Sequence, residues 1–485
     1  MSKLNTGEAS LQFTTFHNVV NGNLTDSSSG ETYHSINPST LQVNPEVPLS
    51  THRDVNQAVD AARAAAETWA NTPWSERKKK LEDFATALES QTEPFSEMLV
   101  KENGKPLLWA RIEVQSCVKW IRGICDLSLP DNVIEDTERR RIIEKYTPLG
   151  VAVGIVPWNF PLMLSFFKIP AALLTGNVFI LKPSPFTPYC CLKIAELGLR
   201  FFPPGVLQAI SGDDRLGPWF TEHPGVDKVA FTGSISTGKK ILQTCSGSLK
   251  RVTLEMGGND PAIICGDVDI AAIVPKVAMI SFVNSGQLCM AVKRLYVHES
   301  IYDAFLAALV DFVESNLIVG DGFEENSFIG PITHQAQFDR VTELLEHIRN
   351  SDTKIATKRS LDARHQGFFI QPVVLDNPPE DSRPVVDETF GPILPLLRWG
   401  DESDVIQRAN NTEYGLGASV WSKDITQANR IANKMKAGSV WINTHGELEP
   451  NVAFGCHKSS GFGVECGVEG LKAYCNVQSV YSRPG

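Results

Sequence analysis

The chain has 485 residues, of which 42% are hydrophobic and 21% are charged, so it is long enough for two or three packed domains. Its formal net charge of −11 argues against a nucleic-acid surface, which requires clustered basic residues. The most apolar stretch, 148–181, is interrupted by prolines and polar residues before it could span a bilayer. We therefore expect a globular protein that binds neither nucleic acid nor membrane.

The ten cysteines are scattered, with no CxxC pair, which is typical of reduced thiols rather than of a disulfide framework. The histidines show no ligand spacing such as HExxH, so the sequence predicts no metal. The first residues, 1–29, are polar and lack the apolar core of a secretory signal. These features favour a cytoplasmic protein.

The first part of the chain predicts helices. Residues 55–70 are rich in alanine, and the run from Ser75 to Leu88 is typical of an amphipathic helix capped at its start. The charged and then β-branched segment from Arg139 to Tyr146 predicts an exposed β-arm, whose unpaired edge would favour a subunit contact.

From Gly150 onward short apolar runs alternate with helical ones, which predicts a doubly wound α/β domain. The predicted strands are 151–156, 178–181, 206–210 and 228–231, and the predicted helices are 188–199 and 236–245. A second α/β unit is predicted to begin near Gly257 and Gly258. Its candidate elements are strands 262–265 and 295–298 and a helix at 301–316.

The segment from Phe231 to Gly238 predicts a strand that ends in a glycine-spaced turn and leads into a helix. Backbone amides at such a helix start can bind phosphate. The segment does not match the GxGxxG dinucleotide fingerprint. By itself such a glycine turn is more often just a tight connection.

Cys289 follows the polar, glycine-containing stretch Asn284-Ser285-Gly286-Gln287. An exposed thiol near helix ends could be held partly as thiolate, the nucleophilic form. The alternative is a packed, inert cysteine.

Glu255 follows a β-branched run and precedes two glycines, so we expect it at a strand end, where α/β folds place their active sites. The alternative is a carboxylate that caps a helix.

Taken together, these motifs resemble the aldehyde dehydrogenase superfamily along nearly the whole chain. The motifs that carry the resemblance, in chain order, are Pro157-Trp158-Asn159-Phe160-Pro161, Lys182-Pro183-Ser184, Phe231 to Gly238, Leu254 to Gly258, Gly286-Gln287-Leu288-Cys289, Glu388-Thr389-Phe390-Gly391-Pro392 and Phe454 to Gly467. The resemblance implies oxidation of an aldehyde to a carboxylic acid by NAD, with NADP possible.

By this resemblance Cys289 is the nucleophile, which forms a thiohemiacetal and then a thioester. The Asn159 side-chain amide and the Cys289 backbone N–H are the implied oxyanion donors. Glu255 is the implied base that activates water to release the acid.

The resemblance also implies the cofactor contacts. Lys182 would bind the adenosine ribose, Ser234 the pyrophosphate and Glu388 the nicotinamide ribose. The full set of implied cofactor-binding residues is Trp158, Lys182, Gly233, Ser234, Gly238, Glu388 and Phe390. For Trp158, plain core packing is an equal alternative.

Several positions depart from the family pattern. Many relatives that prefer NAD carry a carboxylate three residues after the lysine, where this chain has Pro185, so we expect weaker discrimination against NADP+. In the tail, Ala453, Cys456 and Val464 replace common Pro, Gly and Arg, which we interpret as local packing changes.

The resemblance implies a fold of the α/β class, in which a Rossmann-like dinucleotide-binding domain joins an α/β catalytic domain and a small β-arm for oligomerisation. We expect the dinucleotide-binding domain at 1–126 and 149–257, the catalytic domain at 258–450, and the arm and tail at 127–148 and 470–485. A homodimer or homotetramer is implied.

The positions that match the family's aldehyde funnel are mainly apolar: Phe160, Leu164, Phe167, Leu288, Leu448 and Phe454. Glu447 and Glu449 near the same mouth could favour a neutral or cationic aldehyde, although surface solvation explains them as well. His445 in this region is interpreted as structural.

Three other functions are compatible with parts of this pattern. A CoA-acylating relative would not need Glu255, and a non-catalytic relative would lack the nucleophile, base or oxyanion donor. A thiol hydrolase would explain Cys289 but not the nucleotide motifs. The presence of all these residues favours the aldehyde dehydrogenase.

Overall fold

A computed structural model of the protein describes residues 11–360 and 366–484. The strands in chain order are β1 (Asn18–Val20), β2 (Asn23–Thr25), β3 (Thr32–Tyr33), β4 (Val47–Pro48), β5 (Asn132–Asp136), β6 (Arg141–Pro148), β7 (Val151–Ile155), β8 (Val178–Lys182), β9 (Leu207–Ala209), β10 (Lys228–Thr232), β11 (Arg251–Glu255), β12 (Asp260–Ile264), β13 (Val292–His298), β14 (Lys354–Ile355), β15 (Val373–Asp376), β16 (Ile393–Trp399), β17 (Gly417–Trp421), β18 (Ser439–Ile442), β19 (Phe454–Gly455), β20 (Gly461–Phe462), β21 (Val464–Glu465) and β22 (Cys475–Ser482).

The α-helices are α1 (His52–Ala70), α2 (Trp74–Ser90), α3 (Thr92–Asn103), α4 (Leu107–Cys125), α5 (Pro161–Phe166), α6 (Ile169–Leu174), α7 (Tyr189–Gly198), α8 (Leu216–Glu222), α9 (Ile235–Ser246), α10 (Ile270–Phe282), α11 (Tyr302–Asn316), α12 (Gln335–Arg349), α13 (Arg383–Val386), α14 (Glu402–Asn410), α15 (Ile425–Ala432) and α16 (Gly467–Lys472).

The first large sheet has the order β2-β1-β9-β8-β7-β10-β11-β20, and its central strands from β9 to β11 are parallel. Every residue of β7, β8 and β10 is buried, because helices cover both faces of such a sheet. Parallel strands end at one edge, so Lys182 and Glu255 both lie at the carboxyl edge, where α/β folds bind ligands.

The second large sheet has the order β14-β15-β16-β13-β12-β17-β18 and is parallel except at β14. Residues 256–259 alone connect β11 of the first sheet to β12 of the second. The end of β11 is therefore held at the junction between the two sheets. The predicted α/β fold class is confirmed by both sheets.

The predicted strands and helices between 151 and 316 are confirmed, with ends that differ by at most three residues. The predicted cap at Ser75 is wrong. Helix α2 starts at Trp74 and its N-cap is Pro73, which makes no side-chain cap bond. Ser75 therefore lies inside the first turn, because the helix starts two residues earlier than a cap at this serine would place it.

The predicted arm exists as an antiparallel sheet of order β22-β6-β5. Strand β6 is its middle strand and not an unpaired edge, since β22 pairs with it along its whole length, with Val477 opposite Tyr146. The expected free edge at 139–146 is therefore wrong. The edges of this sheet are β5 and β22, because a distant tail segment supplies the third strand.

No helix in the described ranges 11–360 and 366–484 is both long and apolar enough to cross a membrane. Within the same ranges no group of three or more histidine, cysteine, aspartate or glutamate side chains is arranged to hold a metal ion. All ten cysteines are free thiols.

Candidate active site

The loop before Cys289 has an unusual backbone. Asn284, Ser285 and Gly286 have φ values of 51°, 60° and 72°, in the left-handed region that non-glycine residues rarely adopt. A Cβ atom on Gly286 would lie 2.2 Å from the Gly391 carbonyl oxygen, so no side chain fits there. Such strain persists only where the surroundings enforce it, and it is concentrated at functional sites.

Buried hydrogen bonds hold Asn159 next to this loop. Its backbone carbonyl accepts from Lys105 Nζ at 3.0 Å and from Asn284 Nδ2 at 3.0 Å. Its side-chain Nδ2 donates to the Gln287 carbonyl at 3.1 Å, which leaves the second amide hydrogen for another acceptor. Within the part of the chain that the structure describes, the Cys289 backbone N–H also lacks an acceptor. These two donors could hold a developing oxyanion.

Glu255 is the last residue of β11 and is fully buried. Neither of its carboxylate oxygens has a hydrogen-bond partner among residues 11–360 and 366–484. Burial raises the pKa of Glu255 to about 7, which is well suited to a general base at neutral pH. Because Glu255 ends a strand, its interpretation as a helix cap is wrong.

The Cys289 thiol is enclosed beside Glu255. Burial, and then the negative charge of Glu255, hold the pKa of this thiol well above its usual value. Cys289 is half-buried, and these two effects disfavour the partly ionised thiol that the sequence suggested. Both effects act against the thiolate, because a thiolate here would lose part of its hydration and face a carboxylate.

Two cavities meet at these residues. A cavity of about 520 Å³ is lined mainly by apolar and aromatic side chains, and a smaller one of about 170 Å³ is lined by the glycine turn and polar side chains. The residues that line both are Asn159, Glu255 and Cys289. A substrate in the larger cavity and a cofactor in the smaller one would thus meet at one thiol.

Most of the predicted cofactor-binding residues line the smaller cavity. The predicted residues in its lining are Trp158, Gly233, Ser234, Glu388 and Phe390. Ser234 is the N-cap of α9, so the glycine turn does lead into a helix start as predicted. The Trp158 ring packs edge-on against Phe390, with centroids 5.4 Å apart.

Two predicted cofactor-binding residues lie outside the lining of this cavity. Lys182 ends β8 at the same sheet edge, and burial lowers its pKa to about 8. Gly238 packs on Met256, since a Cβ atom there would lie 2.2 Å from Sδ. Gly238 therefore lets α9 approach the end of β11.

Every residue predicted for the aldehyde funnel, from Phe160 to Phe454, lines the large cavity. Trp109, Trp120 and Met163 add further apolar surface. At the mouth, Glu449 pairs with Lys119 at 2.8 Å. This pairing neutralises Glu449, so the mouth gives little support to the idea of a cationic substrate.

His445 lies outside both cavity linings. Its ring contacts Ser419 Oγ at 2.8 Å and the Met290 carbonyl at 2.9 Å, and burial lowers its pKa to about 4. These contacts support the interpretation of a neutral structural histidine.

Several residues of the site were missed by sequence reasoning. Gln337 and Arg340 on α12 and Thr232 at the end of β10 line the smaller cavity. Lys293 contacts both Glu388 and the carbonyl of Cys289. No local pattern marks them, because each reaches the site through tertiary packing; for Lys293 the one available signal was its position four residues after the cysteine.

The sequence and the fold of this chain were compared with those of known proteins. The model of the aldehyde dehydrogenase family matches residues 24–480. A putative aldehyde dehydrogenase of Gibberella fujikuroi is 40% identical over 471 residues, 97% of this chain and 99% of that one. The phenylacetaldehyde dehydrogenase of Pseudomonas fluorescens is 36% identical over 482 residues, 95% of each chain.

Solved structures agree with the sequence relatives. The NAD+ complex of a Bacillus cereus aldehyde dehydrogenase superposes with a TM-score of 0.93 at 34% identity, over 96% of each chain. An NADP-dependent enzyme of Escherichia coli gives a TM-score of 0.94 at 30% identity, over 97% of this chain and 99% of that one. The chain therefore belongs to the aldehyde dehydrogenase family and is an oxidoreductase that oxidises aldehydes with NAD(P)+.

Proposed function

We propose that Cys289 is the nucleophile, Asn159 the oxyanion donor and Glu255 the hydrolytic base. The observation that carries this proposal is that these three residues line both cavities, where substrate and cofactor would meet. The Cys289 thiol passes its proton to the neighbouring Glu255 carboxylate and the sulfur adds to the aldehyde carbonyl, while the Asn159 amide and the Cys289 N–H hold the resulting oxyanion. NAD(P)+, when bound, supplies the hydride acceptor that converts this adduct to a thioester.

Glu255 completes the cycle. Once the thiol proton has passed to solvent, the buried carboxylate takes a proton from water, the water oxygen adds to the thioester carbonyl, and the carbon–sulfur bond breaks to release the acid, with the proton returned to the sulfur. The buried position supports this role, because a carboxylate whose pKa is near neutrality both accepts and returns a proton readily.

The polar residues around the smaller cavity fit a dinucleotide. We propose that Lys182 binds the adenosine ribose, that Ser234 and the start of α9 bind the pyrophosphate, and that Glu388 binds the nicotinamide ribose. Trp158 and Phe390 form the apolar wall. The oxygen Oε2 of Glu388 supports this assignment, since Gly258 N–H and Lys293 bond to Oε1 and leave Oε2 for ribose hydroxyls.

The lining of the larger cavity supports a proposal for the substrate class. Its volume of about 520 Å³ and its mainly apolar, aromatic lining suit an aryl or medium-length aliphatic aldehyde, whose burial is favoured by the hydrophobic effect. The relative named phenylacetaldehyde dehydrogenase supports this class. We place the enzyme in the cytoplasm, with the domain boundaries expected above.

We expect the wild type to produce NAD(P)H, followed by absorbance, from aryl and longer aliphatic aldehydes with higher kcat/KM than from short or cationic amino-aldehydes. Cys289→Ala removes the nucleophile and should abolish this production, and Asn159→Ala should lower kcat by about 10²–10³-fold.

Cys456→Ala is the matched control, because Cys456 lies near Glu255 but lines neither cavity; it should retain nearly full activity. Activity that survives in Cys289→Ala would disprove the role of this thiol. A preference for cationic aldehydes would instead disprove the substrate class alone.

The pKa of Glu255, about 7, predicts the pH dependence of thioester hydrolysis. Only the ionised carboxylate can accept a proton, so the rate should rise as the pH increases through about 7 and level off above it. The measurement is the steady-state release of nitrophenol from a nitrophenyl ester after the acylation burst. Glu255→Gln should lower this rate by about 10²–10⁴-fold and remove the pH dependence near 7; a rise near 7 that persists in this variant would contradict the role.

The cofactor preference follows from the surroundings of Lys182. Pro185 supplies no carboxylate against a 2′-phosphate, but the negative charges of Asp213 and Asp214 act on Lys182 from the next loop. We expect NAD+ to be preferred in kcat/KM by less than about 10³-fold. Pro185→Glu should increase the preference and Pro185→Gln, its neutral control, should not. A wild-type preference above that limit would refute the expectation.

We also propose that the chain forms a homodimer or homotetramer through the arm. Strand β22 exposes Val477 by 61% and Tyr481 by 71%, and Val133 and Ile134 on β5 are also exposed. These apolar side chains lie on the two edge strands of the sheet, where another copy can add strands or pack.

The variant Val477→Asp/Tyr481→Asp should therefore shift the mass measured by light scattering toward a smaller assembly. Leu249→Asp is the control, since this leucine is 87% exposed but lies outside the arm. A wild type that is already monomeric, or an arm variant of unchanged mass, would contradict the proposal.

A further inference from the structure

Lys293 is a buried cation at the centre of the site. It lies on β13, four residues after Cys289, and its side chain is 3% exposed. Burying an ammonium group costs free energy unless the group is fully hydrogen-bonded. All of its donors are used: Nζ donates to the carbonyls of Leu288, at 2.7 Å, and Cys289, and lies 3.2 Å from Glu388 Oε1.

The contact between Lys293 and Glu388 holds one oxygen of the carboxylate, Oε1. Oε1 accepts from Gly258 N–H at 3.1 Å as well as facing Lys293. Oε2 points past Gly257, where a Cβ atom would lie only 2.2 Å from it. The carboxylate is therefore oriented by donors on one oxygen and by the close backbone on the other side. Glu388 lines the smaller cavity, so its orientation determines how a ribose can bind.

The hydrogen bonds from Lys293 to the carbonyls of Leu288 and Cys289 hold the backbone at the nucleophile. They attach the nucleophile's own backbone to the same ammonium group, next to the left-handed turn at 284–286. Burial and the negative charge of Glu255 raise the pKa of the Cys289 thiol, whereas the positive charge of Lys293 lowers it. The other charged or titratable groups that share this region are Glu255, Asp260, Arg294 and His445.

We propose that Lys293 is a positioning residue that joins the backbone of Cys289 to the carboxylate of Glu388. One buried ammonium group then fixes the position of the nucleophile and the orientation of the carboxylate that contacts the nicotinamide ribose. The inference rests on the roles proposed above for Cys289 and Glu388. It predicts that Lys293 affects cofactor binding through Glu388, and that it affects the reactivity of the thiol separately.

The test is a double-mutant cycle on NADH binding, measured by nucleotide fluorescence. Lys293→Met should raise the Kd for NADH and the KM for NAD+ by roughly tenfold, with the KM for the aldehyde unchanged, because charged hydrogen bonds to Glu388 are lost. In the Glu388→Gln background the same change should weaken NADH binding by less than about twofold, since Lys293 acts through that carboxylate.

A second measurement isolates the thiol. Alkylation of Cys289 by iodoacetamide, followed by peptide mass spectrometry, should be about three- to tenfold slower in Lys293→Met at the same pH, because the thiolate loses a neighbouring cation. Lys193→Met is the matched control. Lys193 is also buried and ion-paired, 2.6 Å from Glu196, but it lies on α7 and lines neither cavity, so it should leave both readouts unchanged.

Lys293→Gln is carried through the same cycle, so that the test does not depend on the folding of one variant. Additive effects of the Lys293 and Glu388 changes, or an unchanged Kd in a folded Lys293 variant, would overturn the proposal. Because NADH binding requires no turnover, this result is distinguishable from a failure of the proposed function, which would show as aldehyde oxidation surviving in Cys289→Ala.

Discussion

The active site depends on a backbone turn that the surrounding chain forces into the left-handed region. Asn284, Ser285 and Gly286 take positive φ values in succession, and Gly286 packs directly against the Gly391 carbonyl. This turn directs Cys289 into the space between the two large sheets, where Glu255 ends β11. Such a conformation costs free energy, so the buried bonds of Asn159 and Lys293 to this loop are needed to maintain it.

Burial controls the chemistry of the site. Removing Glu255 from water raises its pKa to about 7, the value at which a base is most useful near neutrality. The same burial raises the pKa of the Cys289 thiol, and the positive charge of Lys293 acts in the opposite direction. A single physical effect, the cost of desolvating a charge, therefore raises the pKa of both the base and the nucleophile.

Sequence patterns predicted the elements that have local signals. Parallel strands such as β7 and β8 are continuous apolar runs because both of their faces are buried, and the glycine turn before α9 has its own residue signature. The patterns failed in one place where a distant strand decides and in one where a neighbouring proline does. The middle position of β6 depends on pairing with β22, and the cap assigned to Ser75 was displaced by Pro73.

The sequence by itself determined the fold class, the family resemblance and the identity of the residues proposed for catalysis, because apolar periodicity, glycine turns and motif order are encoded locally. Only the tertiary structure decided that Asn159, Glu255 and Cys289 line both cavities, that the Glu255 carboxylate has no hydrogen-bond partner among residues 11–360 and 366–484, and that Lys293 joins Cys289 to Glu388. These properties depend on burial and on contacts between segments far apart in the chain, which no local pattern contains.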